Sequence, residues 1–256
     1  VLLWPVLISI LIFLLVPALD FLHLWLWTSL AVCLHVFVDI FNAYGTQALR
    51  PFSDRWIALG IINTFDPFIL IIHLLAIGLW LIGFDPAPVF VSMYGILIAY
   101  YGWRISVHHT LTKQSKHKID QDGDVIVSPT MHWNKWLIAV KTESKFYVAQ
   151  ARKMDISILD VYKRKPLPDT PVMNAAKKDH NAAAFLSFSP VYRWEIEETE
   201  SGHEVRFIDL RYRSRGHYPF VAIVKLNRDL EVTNSYTGWA YNKQRLKKKL
   251  DPVNNF

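Results

Sequence analysis

The sequence has very little charge in its first half. Residues 1–110 of the 256-residue chain hold three Lys or Arg and five Asp or Glu, whereas the rest of the chain holds 25 and 17. The whole chain is 52% hydrophobic and contains ten Trp. This distribution disfavours both an ordinary soluble enzyme and a disordered chain. It indicates a membrane part of net charge −2 followed by a polar part of net charge +8.

Other absences narrow the class of protein further. The single cysteine, Cys33, cannot form an intramolecular disulfide, so no oxidising compartment is implied. GxGxxG, Walker A, CxxC and HExxH patterns are absent, which disfavours the common nucleotide and zinc sites. Val1 stands inside a hydrophobic stretch with no Met before it, so we expect the native N-terminus to lie upstream.

Four hydrophobic stretches approach the roughly 20 residues needed to cross a bilayer. They predict transmembrane helices at about 1–19, 21–43, 67–84 and 88–107. The link 44–56 contains Arg50 and Arg55, whereas the links at Asp20 and at 84–88 contain no basic residue. The exit from the fourth stretch carries Arg104, Lys113, Lys116 and Lys118. Because basic residues are retained on the cytoplasmic side, we expect a multi-pass protein of the cytoplasmic membrane, with both ends cytoplasmic.

The sequence after the last predicted span is polar and has the alternating pattern of strands. Residues 111–124 are expected to form a basic linker, and 125–256 a cytoplasmic α+β domain that is mostly antiparallel sheet. Alternating patterns predict strands at 136–140, 146–148, 156–159, 191–197, 208–213 and 220–224. An Ala-rich segment, 172–186, predicts one helix, and the basic tail 243–249 suits an anionic membrane surface.

The second predicted span carries the most specific chemical signal. His35 and Asp39 are four residues apart, which places them on one helix face, and Asn42 follows on the next turn. Asp66 precedes Pro67 at the start of the third span, at the same predicted level. A carboxylate within a membrane is costly, so it marks a candidate functional site. Imidazole and carboxylate ligands suit Zn, Mn or Fe, which can activate water for hydrolysis.

Structural explanations exist for the same residues. His35 and Asp39 could simply bond to each other or to a neighbouring helix. Asp66 before Pro67 is also an ordinary helix start, an N-cap followed by proline. His73 is expected to be packed or interfacial. The group Arg206, Arg211, Arg213 and Arg215 is expected to be the solvated face of a sheet, so nucleic acid is not an expected partner.

Two groups of segments carry a family resemblance. The run LHVFVDIFNAYGTQALRPFSDRWIALGIINTFDPF, residues 34–68, resembles the YdjM-like family of membrane-bound metal-dependent hydrolases. AAFLSFSPVYRWE at 183–195 and VRFIDLRYRSRGHYPFVAIV at 205–224 resemble its YfhP-type members of Gram-positive bacteria. The resemblance covers essentially the whole chain and implies a bundle of membrane helices with a metal site near one face.

The resemblance also implies roles for individual residues. His35 and Asp39 match the family's H-x-x-x-D element, Tyr44 to Thr46 its Y-G-T element, and Asp66 its D-P element. It implies His35, Asp39 and Asp66 as ligands of a divalent metal, with Asp39 and Asp66 catalytic and Asn42, Tyr44 and Thr46 around them. The family's earlier elements, Asp…Thr-His, Pro-Asp-x-Asp and Arg-Gly-x-Thr-His, do not occur in this sequence.

Two functions of different classes follow. The first is a metal-dependent hydrolase in the cytoplasmic membrane, acting on a lipid-borne ester, phosphoester or amide. The second is a non-enzymatic membrane-anchored regulator that influences transcription, whose cytoplasmic domain binds a protein partner. A transporter is weaker, because few charges lie within the predicted spans. Membrane lipids are expected partners in every case.

Overall fold

The computed structural model describes residues 3–119 and 122–241. The chain divides into two compact units, residues 1–110 with 127–135 and residues 111–126 with 136–256. The tail 243–249, predicted to meet a membrane surface, lies outside the described residues. The order of elements is a helical region followed by a two-sheet antiparallel α/β domain, which is the fold class expected in outline.

Four helices form the first region. They are α1 (Leu3–Leu15), α2 (Phe21–Ile40), α3 (Pro67–Leu81) and α4 (Pro86–Ile119). Asp20 caps α2 by accepting a hydrogen bond from the His23 backbone N–H at 2.7 Å. Pro67 begins α3, where its missing N–H costs nothing. The helix α4 continues through most of the predicted linker 111–124 and ends at Ile119, with basic side chains in its last turn.

The helices expose apolar surface that water would not favour. Among the described helices, α2 is long and apolar enough to cross a membrane, and none of its residues is buried. The helices α1 and α3 are also apolar but have only 13 and 15 residues, fewer than the roughly 20 needed to cross a bilayer. A helix that is apolar on all sides and unburied suits a lipid environment. Four crossings are therefore not established by these helices, and their number stays a prediction.

Two four-stranded sheets follow, each with its strands in sequence order. The first contains β1 (Gly123–Pro129), β2 (Lys135–Thr142), β3 (Lys145–Arg152) and β4 (Asp155–Lys163). The second contains β5 (Tyr192–Thr199), β6 (Gly202–Asp209), β7 (Phe220–Asn227) and β8 (Val232–Trp239). The sequence patterns did not predict β1 or β8.

Two helices, α5 (Pro171–Lys178) and α6 (His180–Phe188), pack on the second sheet through a buried apolar cluster. The sequence predicted one helix over 172–186. Asp179 separates the two, because its extended backbone ends α5 while its carboxylate caps α6 by accepting from the Asn181 and Ala182 N–H groups. The cluster contains Met173, Ala176, Ala182, Phe185, Val205, Phe207, Ala222, Val224 and Leu226.

The strand predicted over 208–213 is wrong beyond Asp209. The Asp209 carboxylate accepts a hydrogen bond from the Arg211 backbone N–H at 2.8 Å, which turns the chain. The Arg211 guanidinium lies buried against the same carboxylate, with Nη2 2.6 Å from Oδ2. Arg211 is therefore not part of a solvated sheet face, as its alternating position suggested.

Candidate functional site

The C-terminal end of α2 brings His35 and Asp39 together, as their spacing predicts. His35 Nε2 lies 3.6 Å from Asp39 Oδ2, and the Asn42 amide donates to Asp39 Oδ1 at 3.4 Å. The His35 side chain is 78% exposed and that of Asp39 is 34% exposed. Both contacts are long for hydrogen bonds, so the Asp39 carboxylate keeps the capacity to bind another group.

Asn42 also shapes the turn that follows α2. Its Oδ1 accepts hydrogen bonds from the N–H groups of Tyr44 at 3.0 Å and Gly45 at 2.7 Å. Thr46 and Ile57 then exchange backbone hydrogen bonds of 3.0 Å. Tyr44 and Thr46, predicted to surround the metal site, are thus placed in a turn that fixes Asn42 and the segment after it.

Asp66 is held by three hydrogen bonds. Its Oδ1 caps α3, accepting from the N–H groups of Phe68 at 3.0 Å and Ile69 at 3.3 Å. Its Oδ2 accepts from the Tyr100 hydroxyl of α4 at 2.8 Å. The predicted helix-start role of Asp66 is therefore confirmed. Its catalytic and metal-binding roles stay predictions. The three contacts fix the orientation of the carboxylate.

Asp39 and Asp66, 27 positions apart, line one cavity of about 360 Å³, called here the Asp39–Asp66 cavity. Its remaining polar side chains come from the segment between α2 and α3, from α3 and from α4. Its apolar side chains come from α2, from the same segment and from α3. The complete lining is Val38, Asp39, Asn42, Ile62, Asn63, Thr64, Phe65, Asp66, Ile69, Leu70, His73 and Tyr101. His35 is not among these residues, although it contacts Asp39.

His73 is a cavity residue that the sequence analysis did not select. Its Nδ1 lies 2.7 Å from the Ile69 carbonyl oxygen, so Nδ1 carries the proton and donates. The Nε2 atom then has a lone pair and can accept a proton or bind a cation. The signal in the sequence was its spacing, because a residue seven positions after Asp66 lies two helical turns along the same face.

Arg104 is a second residue whose role the sequence did not reveal. It was expected only to mark the cytoplasmic end of the fourth span. The structure buries its side chain, with Nε donating to the Ile61 carbonyl at 3.1 Å and Nη1 to the Trp133 carbonyl at 2.9 Å. It therefore fixes the segment between α2 and α3 that forms part of the cavity wall.

The donor set around the cavity suits a divalent cation chemically. Carboxylate oxygens and imidazole nitrogens are the ligands that Zn, Mn and Fe accept. Within residues 3–119 and 122–241, however, no group of three or more His, Cys, Asp or Glu is close enough to hold a metal ion. His35 contacts Asp39, and Asp39 and Asp66 line the same cavity, but the three residues do not form one cluster.

Comparisons with known proteins identify the class. The profile of the YdjM inner membrane protein family matches residues 1–111. The YfhP middle domain matches 123–162, and the YfhP C-terminal alpha/beta plait domain matches 171–250. With the unburied apolar helix α2, these matches define a membrane protein with an α/β domain after its helices.

A curated relative gives the family. It is the "Uncharacterized protein YfhP" of Bacillus subtilis (strain 168), which is 55% identical over 251 residues, or 98% of this chain and 77% of the relative. The chain therefore belongs to the YfhP family, as the resemblance in its sequence predicted. No solved structure matches the chain significantly.

Proposed function

We propose that this protein is a metal-dependent hydrolase of the cytoplasmic membrane, with its reaction site in the Asp39–Asp66 cavity. The observation that carries the proposal is the shared cavity itself: the carboxylates of Asp39 in α2 and Asp66 at the start of α3 line it together with Asn42 and His73. Carboxylates in an apolar helical region need a partner or a function. Asp66 has its partners, whereas the contacts of Asp39 within the described part of the chain are the long ones to His35 and Asn42.

Each residue has a distinct chemical task in this proposal. His35, Asp39 and Asp66, which do not form one cluster in the structure, would have to draw together to hold a divalent cation, which supplies Lewis-acid chemistry when bound. Asp39, partly exposed, accepts the proton of the attacking water. Asp66 stays fixed by Tyr100 and by the start of α3, and His73 offers Nε2 as a second acceptor. Asn42 orients Asp39 through its amide.

The lining suggests the substrate class. Apolar side chains of α2 and α3 form much of the wall, among them Val38, Ile69 and Leu70. The cavity lies within a helical region whose outer surface is apolar and exposed. A substrate with an apolar portion and a polar bond at its end fits such a site. We therefore propose a lipid-borne ester, phosphoester or amide.

The test is hydrolysis by the full chain in lipid nanodiscs, supplied with Zn²⁺, Mn²⁺ or Fe²⁺. The probes are a long-chain p-nitrophenyl ester, bis(p-nitrophenyl) phosphate and a long-chain acyl p-nitroanilide. Asp39→Asn should lower the rate by about 10²-fold or more, the usual effect of losing a general base. Asp54→Asn is the matched control, because Asp54 is 81% exposed and pairs with Arg50 outside the cavity. Equal rates for both variants would overturn the proposal.

We also propose that the chain crosses the membrane four times, with residues 44–56 and the two sheets on the cytoplasmic side. The support is the placement of basic residues: Arg50 and Arg55 in the link, and Lys113 and Lys116 in α4. Retained positive charge is the main determinant of orientation. The links at Asp20 and at 84–88 carry no Lys or Arg and would face outward.

A second candidate function is a non-enzymatic regulator that binds a protein partner. The observation that favours it is strand β4, an edge strand that exposes Ile158 at 42% and Val161 at 49%. Exposed edge strands are common sites of partner binding. Cross-linking of the full chain in its native membrane should then lose a discrete adduct in Val161→Lys and keep it in the control Lys163→Ala. The absence of any adduct that depends on Val161 would contradict this candidate.

A further inference from the structure

The turn between β1 and β2, residues 130–134, is called here the tip. It presents large apolar side chains. Met131 is 56% exposed and Trp133 is 65% exposed. The turn itself is well formed, since the Thr130 hydroxyl donates to the Lys135 carbonyl at 2.8 Å. An ordered turn that exposes Trp and Met is unusual in water and indicates an apolar or interfacial partner.

The tip belongs to the same compact unit as the membrane helices, and it is fixed to α4. The buried Arg104 donates to the Trp133 carbonyl at 2.9 Å, and the Trp133 ring lies 5.9 Å from that of Trp103. The Asn63 amide also donates to the Pro129 carbonyl at 3.4 Å. These contacts hold the tip against the part of α4 where the predicted span 88–107 ends.

Contacts between helices relate the tip to the C-terminal end of α2. Tyr100, one turn before Arg104, binds Asp66 at the start of α3. Tyr101 packs edge-to-face on Phe41, the residue after α2, with ring centroids 5.4 Å apart. In the proposed topology α2 crosses the membrane, so its C-terminal end lies at a membrane boundary. The tip therefore lies at this boundary.

We propose that residues 130–134 insert into the headgroup region of the bilayer, with Met131 and Trp133 as the inserted side chains. Trp is enriched at this depth because its ring is apolar and its N–H is polar. Phe68 and Trp103 share a cavity of about 350 Å³ with both side chains, so the apolar surface of the helices continues onto the tip. The exposed His132 and nearby Lys135 suit anionic phosphates. This contact lies beside the proposed hydrolase site and does not depend on hydrolysis.

The test is nitroxide accessibility in the full chain, reconstituted into phosphatidylethanolamine–phosphatidylglycerol vesicles. Four single-cysteine proteins are compared. Native Cys33 in α2 provides the membrane-core reference. Met131→Cys and Ser201→Cys, each combined with Cys33→Ser, report the tip and the exposed turn between β5 and β6. His132→Cys, also combined with Cys33→Ser, repeats the tip measurement at a second exposed position.

Insertion predicts that labels at positions 131 and 132 collide severalfold less often with the water-soluble Ni(II) ethylenediaminediacetate than the label at 201. Their oxygen-to-nickel collision ratio should fall between those of positions 201 and 33. A ratio equal to that of position 201 would overturn the proposal. A second result would also overturn it: low access to both reagents, together with spin–spin broadening that disappears when the protein is diluted with unlabelled protein. That result would mean that the tip contacts a second copy of the chain.

Discussion

Asp66 shows how one side chain can serve structure and a candidate functional site together. It caps α3, binds the Tyr100 hydroxyl and lines the Asp39–Asp66 cavity. The first task tolerates an amide, since Asn caps helices about as well as Asp. A metal-binding or acid–base task requires the carboxylate. The two tasks can therefore be separated by substitution.

We predict that Asp66→Ala lowers the free energy of unfolding by about 1–2 kcal/mol, because the helix cap is lost. Asp66→Asn should largely retain the cap and the stability. Thermal melting of the detergent-solubilised full chain measures this. Tyr100→Phe serves as a control that removes the hydroxyl contact alone. In the hydrolysis assay, Asp66→Asn should nevertheless lose activity. Equal destabilisation by Ala and Asn would show that the cap is not what the carboxylate supplies.

Asp160 makes stability depend on pH. The Tyr218 hydroxyl, 2.6 Å from Oδ2, and the Arg213 guanidinium, 2.5 Å from the same atom, lower the pKa of Asp160. A carboxyl group whose pKa is lower when folded stabilises the fold above its unfolded pKa of about 3.9. That stabilisation is lost as pH falls through the lower folded value.

We predict that Asp160→Asn destabilises the protein at neutral pH and that this difference shrinks as the pH falls below about 4. Urea denaturation followed by circular dichroism, from about pH 6 to pH 2, provides the measurement. Asp155→Asn, at the exposed start of the same strand, should show little change at any pH. A deficit for Asp160→Asn that stays constant across the range would contradict this assignment.

Among the elements, the turn after α2 depends on a glycine. Gly45 has φ of +69°, and a Cβ atom there would lie 2.1 Å from the Ile57 carbonyl oxygen. The Y-G-T element of the sequence thus owes its glycine to a backbone conformation and a close approach. Displacing this turn would also displace Asn42, whose Oδ1 binds the Gly45 N–H.

We predict that Gly45→Ala strongly destabilises the folded protein, whereas Gly78→Ala is neutral or stabilising. Gly78 lies within α3 with open space around its Cβ position, and Ala is the better helix former there by about 1 kcal/mol. The melting temperatures of the two variants in detergent give the comparison. Similar melting temperatures would show that the turn relaxes to accept a side chain.

The prediction of elements from sequence succeeded where a pattern had one physical cause. Strands β2, β3, β4 and β7 contain the segments predicted for them, because their buried and exposed residues follow the sheet. The prediction of a single helix over 172–186 was wrong, because the structure has two helices there. The capping tendency of Asp179 competes with the surrounding Ala-rich pattern. Strand 208–213 was wrong because the Asp209–Arg211 pair turns the chain.

At the scale of the whole molecule, charge distribution predicted the division into a membrane part and an α/β part. The candidate site was predictable only where its residues are close in sequence, as His35 and Asp39 are. The sequence could not show that His73 and Asp39 line one cavity or that Arg104 binds the Trp133 carbonyl, because both depend on the packing of separate elements. For the same reason, the sequence could not show that Asp66, at the start of α3, accepts a hydrogen bond from Tyr100 of α4.

The proposed orientation gives a prediction for the intact molecule. In a Cys33→Ser background, cysteines at Ser53 and Ser201 should resist a membrane-impermeant maleimide in intact cells and react in inverted vesicles. A cysteine at Asp85, in the link between α3 and α4, should show the reverse. The basic residues of the link 44–56 are the physical reason. Labelling of Ser53→Cys and Asp85→Cys from the same side would contradict four crossings.

The central claim is that the Asp39–Asp66 cavity binds a catalytic divalent metal, and the most direct measurement is metal content. Elemental analysis should be made on the full-length protein purified in detergent without chelator, alongside Asp39→Asn and the control Asp54→Asn. We predict about one equivalent of Zn, Mn or Fe in the native protein and in Asp54→Asn, with clear loss in Asp39→Asn. Metal that is absent from all three proteins, or retained in Asp39→Asn, would contradict the account.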